Sequence, residues 1–183
     1  MKKSTLLTLL ALVIGLQLAI PGGMILRREY VLSHGRAFKF RVGPVDPHDP
    51  FRGRYVALRF AQNSVAIPPG LTIRRNQTVH VLLGEDDNGF AIFTGLQLTR
   101  PKSDPYLTTR VNSAYSGNAI LRLPFDRFYM DEKSAPAAEI VARNSLADTN
   151  RPTYAEVRIS RGFAVLADLY VADRPIREVL AAP

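Results

Sequence analysis

From Ser4 to Leu26 the chain runs for 23 residues without a formal charge, and no other feature restricts its fold as much. At about 1.5 Å per helical residue the run reaches about 34 Å, enough for one helix to cross a hydrocarbon core of about 30 Å. A cleaved signal peptide begins in the same way, with the charges of Met1-Lys2-Lys3 followed by an apolar stretch from Leu6 to Ile20. No Ala-x-Ala-like site closes that stretch, however, and after Pro21-Gly22-Gly23 the apolar pattern resumes at Met24-Ile25-Leu26 before meeting Arg27-Arg28. The expectation is a membrane anchor through residues 6–26, with the lipid bilayer as its partner. Residues 1–30 then form the anchor and its flanks, and 31–183 one soluble domain.

Orientation needs a second argument. Arg27, Arg28, Arg36, Lys39 and Arg41 put more positive charge after the run than Lys2 and Lys3 put before it. A literal positive-inside count would leave the domain in the cytoplasm. Long domains translocate largely regardless of charge, and the Met-Lys-Lys start resembles a translocation signal, so the expected side is extracytoplasmic.

About 150 residues beyond the anchor suffice for one packed core. The chain has 24 basic and 16 acidic residues, a net charge of +8, and the four basic residues flanking the anchor supply half of that excess. The remaining arginines are scattered, without a run of like charges or a nucleic-acid-binding signature, so no nucleic-acid partner is expected. A mildly basic surface beside an anchor suits anionic head groups better. The absence of cysteine removes disulfides, thiolate metal sites and cysteine nucleophiles.

Beyond the anchor the patterning is that of strands. Phe38, Phe40 and Val42 alternate with Lys39 and Arg41 over residues 36–43, the mark of a half-buried strand. A loop with three prolines follows, and Tyr55 to Phe60 resumes a β-rich pattern. Val79, Val81 and Leu83 lead through Asn88-Gly89 to Phe90, Ile92, Leu96 and Leu98, a hairpin in which Gly95 marks a bulge. Strands are also expected at 108–111, 118–125, 154–159 and 163–171, the last two joined at Ser160-Arg161-Gly162. Ser134 and Pro136 open the one soluble helix expected, at 135–147. The fold class is mainly β: an N-terminal transmembrane helix, then a small antiparallel β barrel or sandwich with one short α-helix.

Two polar clusters offer chemistry. Asp46-Pro47-His48-Asp49-Pro50-Phe51-Arg52-Gly53-Arg54-Tyr55 lies between strands, where a scaffold presents functional residues. Asp46, His48 and Asp49 have the donor types of a divalent-metal site, but the other histidines, His34 and His80, lack helical zinc-motif spacing. Aspartates that bond nearby amides and prolines that fix φ explain the same residues as a turn, so no metal or cofactor is expected. The second cluster, Leu123 to Lys133, contains Arg127, Tyr129 and Glu132. Arg127 has the chemistry to bind an anion or to pair with Asp46, Asp49 or Glu132. Neither a G-x-S-x-G elbow, an S-x-x-K, a G-x-G-x-x-G nor a P-loop is present.

Gly53-Arg54-Tyr55-Val56-Ala57-Leu58-Arg59-Phe60, preceded by Asp46-Pro47 and Asp49, resembles the signature of the GDYXXLXY family of bacterial membrane-anchored proteins. Leu123-Pro124-Phe125-Asp126-Arg127-Phe128-Tyr129 through Glu132, with Glu139, is similar to that family's second signature. Arg54 stands where the motif has aspartate and Phe60 where it ends in tyrosine. A catalytic acid or metal ligand would not be dispensable at that aspartate, so the departure favours binding or scaffolding. The resemblance implies an inner-membrane protein with a periplasmic domain and, as a possible partner, a multi-pass membrane protein. The binding surface expected from both clusters is Asp46, Asp49, Arg52, Gly53, Tyr55, Arg127, Tyr129 and Glu132. The alternative is a metal-dependent or other hydrolase built on Asp46, His48 and Asp49.

Overall fold

The computed structural model of the chain describes residues 3–43, 55–102, 105–129 and 153–181. Asp46, His48, Asp49, Arg52, Gly53 and Glu132, and the helix expected at 135–147, lie outside the described residues.

The charge-free run becomes one helix, α1 (Lys3–His34), which continues through Pro21. It is long and apolar enough to cross a membrane, and Leu9, Leu12, Leu16, Ile20, Ile25 and Leu26 are all exposed along it. Its last turns are held by the domain. Val31 is buried, and the Gly35 amide donates to the Val31 carbonyl at 2.8 Å. A Cβ on Gly35 would stand 2.5 Å from that carbonyl oxygen, so the close approach of helix and first strand requires glycine.

The strands follow as β1 (Arg36–Gly43), β2 (Tyr55–Ala57), β3 (Arg59–Phe60), β4 (Ser64–Ala66), β5 (Thr78–Glu85) and β6 (Ala91–Gln97). After them come β7 (Tyr106–Tyr115), β8 (Asn118–Arg122), β9 (Arg127–Tyr129), β10 (Thr153–Ser160), β11 (Phe163–Val171), β12 (Arg174–Pro175) and a short helix, α2 (Ile176–Ala181). One sheet has the order β12-β11-β10-β1-β3, a second the order β4-β8-β7-β5-β6, and β2 pairs with β9 as a two-stranded ribbon. The ladders between these strands are antiparallel, as the alternating apolar patterns require of half-buried strands. Isolated bridges from Lys39 to Phe90 and from Leu107 to Gly162 join the two larger sheets into a nearly closed barrel.

The core is the inward row of each strand. Phe38, Phe40 and Val42 of β1 face Val79, Val81 and Leu83 of β5, Leu107 and Val111 of β7, Val157 of β10 and Leu169 of β11. Full burial of each such side chain stabilises the fold by roughly 1.5–3 kcal/mol. Lys39 and Arg41, the alternate residues of β1, remain outside. Gly95 lies at a bulge, because the β5–β6 register shifts at Leu82/Leu83 and leaves Thr94 unpaired. The connecting loop is pinned by the Asp86 carboxylate, which accepts the amides of Asn88 at 2.9 Å and Phe90 at 2.8 Å. The Phe90 amide, with smaller help from Asn88 and Arg41, holds that carboxyl below its usual range.

Four expectations are corrected. The strand read across Tyr55 to Phe60 is broken at Leu58, whose buried side chain and amide, donating to the Asp126 carbonyl at 2.8 Å, carry the chain from the ribbon into the first sheet. The strand expected at 108–111 is the ten-residue β7. The one expected at 118–125 stops at Arg122, and Pro124-Phe125 forms a turn. β7 and β8 meet through Ser116-Gly117, both at positive φ, a two-residue hairpin turn whose backbone twist matches the strands it joins. The fourth correction is α2, which sequence reading did not supply: Ile176 is fully buried and Leu180 packs against the same core.

Candidate functional site

The ribbon joins Tyr55, the last residue of the first polar cluster, to Arg127–Tyr129 of the second. Tyr55 pairs with Tyr129, Val56 with Phe128 and Ala57 with Arg127. Beyond the ribbon, Phe125 packs on Phe60 at 5.1 Å and on Phe40 at 5.0 Å between ring centroids. The pairing is antiparallel, so the residue before Tyr55 and the residue after Tyr129 attach to the same end of the ribbon. Asp46, Asp49, Arg52 and Gly53 precede that end in sequence and Glu132 follows it.

On β9 the pleat sets which side chains are exposed. Phe128 is buried, whereas Tyr129 is 62% exposed at the ribbon's end. Arg127 points outward with its Nε 3.9 Å from the neighbouring Asp126 carboxylate, an exposed contact of small energetic weight.

The family model described as GDYXXLXY protein matches residues 17–169. The chain belongs to the GDYXXLXY family. No curated protein and no solved structure matches it. In this GDYXXLXY protein the motif's leucine falls on Leu58, where the chain changes sheets. Its last position falls on Phe60, a buried ring packed at right angles to Phe40 and Phe125. Replacing the tyrosine of the motif with phenylalanine at that position removes a hydroxyl that would otherwise need a partner in an apolar cluster.

Two clefts flank these segments. The larger, about 600 Å³, is lined by Gly43, Arg59, Asn63, Asn112 and Asp126 among others. The smaller, about 320 Å³, lies between the end of α1, β9, β11 and α2, and Arg28, Arg127 and Arg177 line it beside Phe128, Tyr129 and Phe163. Sequence reading reached Arg127 and Tyr129 but missed Arg28, Arg177 and Phe163 as site residues. They come from three distant stretches that no spacing rule connects.

Groups with shifted titration lie away from both clefts. Burial pushes the Tyr154 hydroxyl up to about 12, helped by its hydrogen bond to Asp173, and burial also raises Tyr170, stacked 5.0 Å from it. Such hydroxyls stay protonated at neutral pH and serve packing. His80 stands in β5 with Nδ1 3.0 Å from the Thr108 hydroxyl. His34 donates from Nδ1 to the Tyr30 carbonyl at 3.2 Å and stacks on that ring. Among the described residues no three His, Cys, Asp or Glu side chains cluster as a metal site would require.

His80 supplies a pH prediction. Desolvation by burial, then the charge of Arg100, lowers its pKa below the ordinary value. The unfolded chain therefore binds this proton more readily than the folded one. The associated stability is complete above the unfolded value of about 6.5 and is lost as pH falls through the folded value. Thermal melts should show a larger loss of Tm on acidification for the wild type than for His80→Gln. Equal losses would remove His80 as the cause.

Proposed function

We propose that this chain is a single-pass inner-membrane protein whose extracytoplasmic β domain binds a membrane protein or envelope ligand at the membrane surface and catalyses no reaction. The observation that carries the reading is the ribbon. It joins both family signatures, fixes them on the barrel through Leu58 and Phe125, and leaves Tyr129 exposed at the end from which the Asp46–Gly53 segment is reached in sequence. An exposed tyrosine on a rigid strand is a good anchor for a partner, because it offers a large contact area at small entropic cost. The described lining of the larger cleft has Asp126 as its one carboxylate and no histidine, so it offers no acid–base pair. The length and apolar surface of α1 support the anchor, and the translocation argument supports the side.

A photo-crosslinking side chain at Tyr129 in intact cells is expected to yield an adduct with an integral membrane protein. The same group at Tyr115, which is 79% exposed on the β7–β8 hairpin, should not. Equal yields at both positions would remove the ribbon as the binding surface. The absence of native cysteine allows a topology test with Asn88→Cys in the exposed β5–β6 loop. Labelling by an impermeant thiol reagent is expected in intact spheroplasts. Labelling only after lysis would place the domain in the cytoplasm and defeat the reading.

A further inference from the structure

The smaller cleft has a composition that neither the anchor nor the ribbon explains. Three arginines, Arg28 on α1, Arg127 on β9 and Arg177 on α2, line one concavity of about 320 Å³. No carboxylate is among the described residues that line it. Arg127 is already in contact with the Asp126 carboxylate at 3.9 Å. Arg28 and Arg177 are two like charges on one cleft, whose repulsion an anion held between them relieves. Of the three, Arg177 has its guanidinium 5.7 Å from the Phe128 ring of the cleft wall, and Arg27, next to Arg28 in the chain, lies 4.2 Å above the Phe163 ring of the same wall. Cation–π contacts of this kind restrict arginine side chains before any ligand arrives.

The height of the cleft identifies the anion. Arg27 and Arg28 are the first charges after the uncharged run, whose helical length of about 34 Å slightly exceeds a hydrocarbon core of about 30 Å. They therefore stand at the level of the lipid head groups, and Arg28 is part of the cleft wall. Tyr30, more than half exposed one turn of helix from Arg27, adds an amphipathic ring at the depth where such rings concentrate. Arginine forks match the geometry of phosphate oxygens.

We propose that this cleft holds the phosphodiester of an anionic phospholipid such as phosphatidylglycerol, with Arg28 and Arg177 as its principal ligands and Arg127 at its rim. The assignment rests on α1 spanning the membrane, and not on any protein partner. A zwitterionic head group brings an ammonium into the same basic surroundings and binds less well. The domain is thereby docked against the bilayer in one orientation, with the ribbon beside the docking point.

The test uses the full chain, purified in detergent, with lipid retention read by native mass spectrometry against equal amounts of phosphatidylglycerol and phosphatidylethanolamine. The wild type is expected to retain phosphatidylglycerol preferentially. Arg28→Gln and Arg177→Gln should each reduce that preference by about fivefold, the scale of one basic residue at an anionic surface. Arg28→Lys should keep most of it. Arg74→Gln with Arg75→Gln, exposed arginines outside the cleft, should leave it unchanged, which separates a site from net charge. Equal retention of both lipids by the wild type would overturn the proposal, as would equal loss from the Arg74/Arg75 control. Saturable binding of inorganic phosphate without lipid preference would also overturn it in favour of a soluble anion. Resistance of the membrane-bound chain to alkaline carbonate reads the anchor separately. A missing lipid preference with intact anchoring sinks the cleft alone, and release by carbonate sinks the anchor and the cleft together.

Discussion

Gly162→Ala is expected to cost at least about 3 kcal/mol, a large share of the roughly 5–15 kcal/mol that is typical of a whole domain. Gly162 sits in the β10–β11 turn at φ +81, where an L side chain is strained by about 1–2 kcal/mol before any contact is considered. A Cβ there would also overlap the Thr108 hydroxyl and stand 2.5 Å from the Tyr106 ring. Tyr106 is buried, so its ring has no open side to move into. The backbone around the turn cannot retreat cheaply either. The Gly162 carbonyl accepts the Thr108 amide at 2.9 Å, and the Leu107–Gly162 bridge is one of the joints that hold the two sheets together. Gly89→Ala separates the two causes, because Gly89 has φ +75 with nothing within 4 Å of the added carbon. It should lose only the conformational share. Urea unfolding of both variants checks the difference, and equal losses at the two glycines would mean that the joint tolerates the added carbon.

That joint marks the boundary of what could be read from the sequence. The alternation of Phe38, Phe40 and Val42, the bulge at Gly95 and the β10–β11 hairpin were legible, because side-chain period and turn residues are local consequences of the backbone. Gly162 was legible as a turn glycine, but its second duty, admitting Thr108 and Tyr106 from the other sheet, is a long-range contact with no local trace. The same reason hides the break at Leu58. Its neighbours Tyr55 to Phe60 have uniform strand character, and only the amide partner on Asp126 shows that the chain changes sheets. α2 was missed because six residues do not complete two helical turns, too few for a period to register. In the candidate site, the signature segments were visible as polar clusters, whereas the arginine cleft depends on residues 28, 127 and 177 meeting in space.

The second signature combines two jobs that mutation can separate. Phe125→Ala should destabilise the domain by about 3–5 kcal/mol, the usual cost of removing a buried phenyl ring. Phe125 is only 3% exposed and packs on Phe40 and Phe60, so truncation opens a cavity where the ribbon, the first sheet and the Pro124-Phe125 turn converge. The loss should propagate to the ribbon, because the Asp126 carbonyl that receives the Leu58 amide is the next residue. Tyr129, four residues on, is 62% exposed at the ribbon's end, and Tyr129→Ala should cost under about 1 kcal/mol, the range of surface substitutions. Denaturant midpoints of the two variants measure the contrast. If Tyr129 carries the binding surface, its truncation should abolish partner capture in cells while the melting curve barely moves. A Tyr129→Ala variant that destabilised the domain as strongly as Phe125→Ala would instead make the exposed ring a structural support for the ribbon, and the motif a folding device along its whole length.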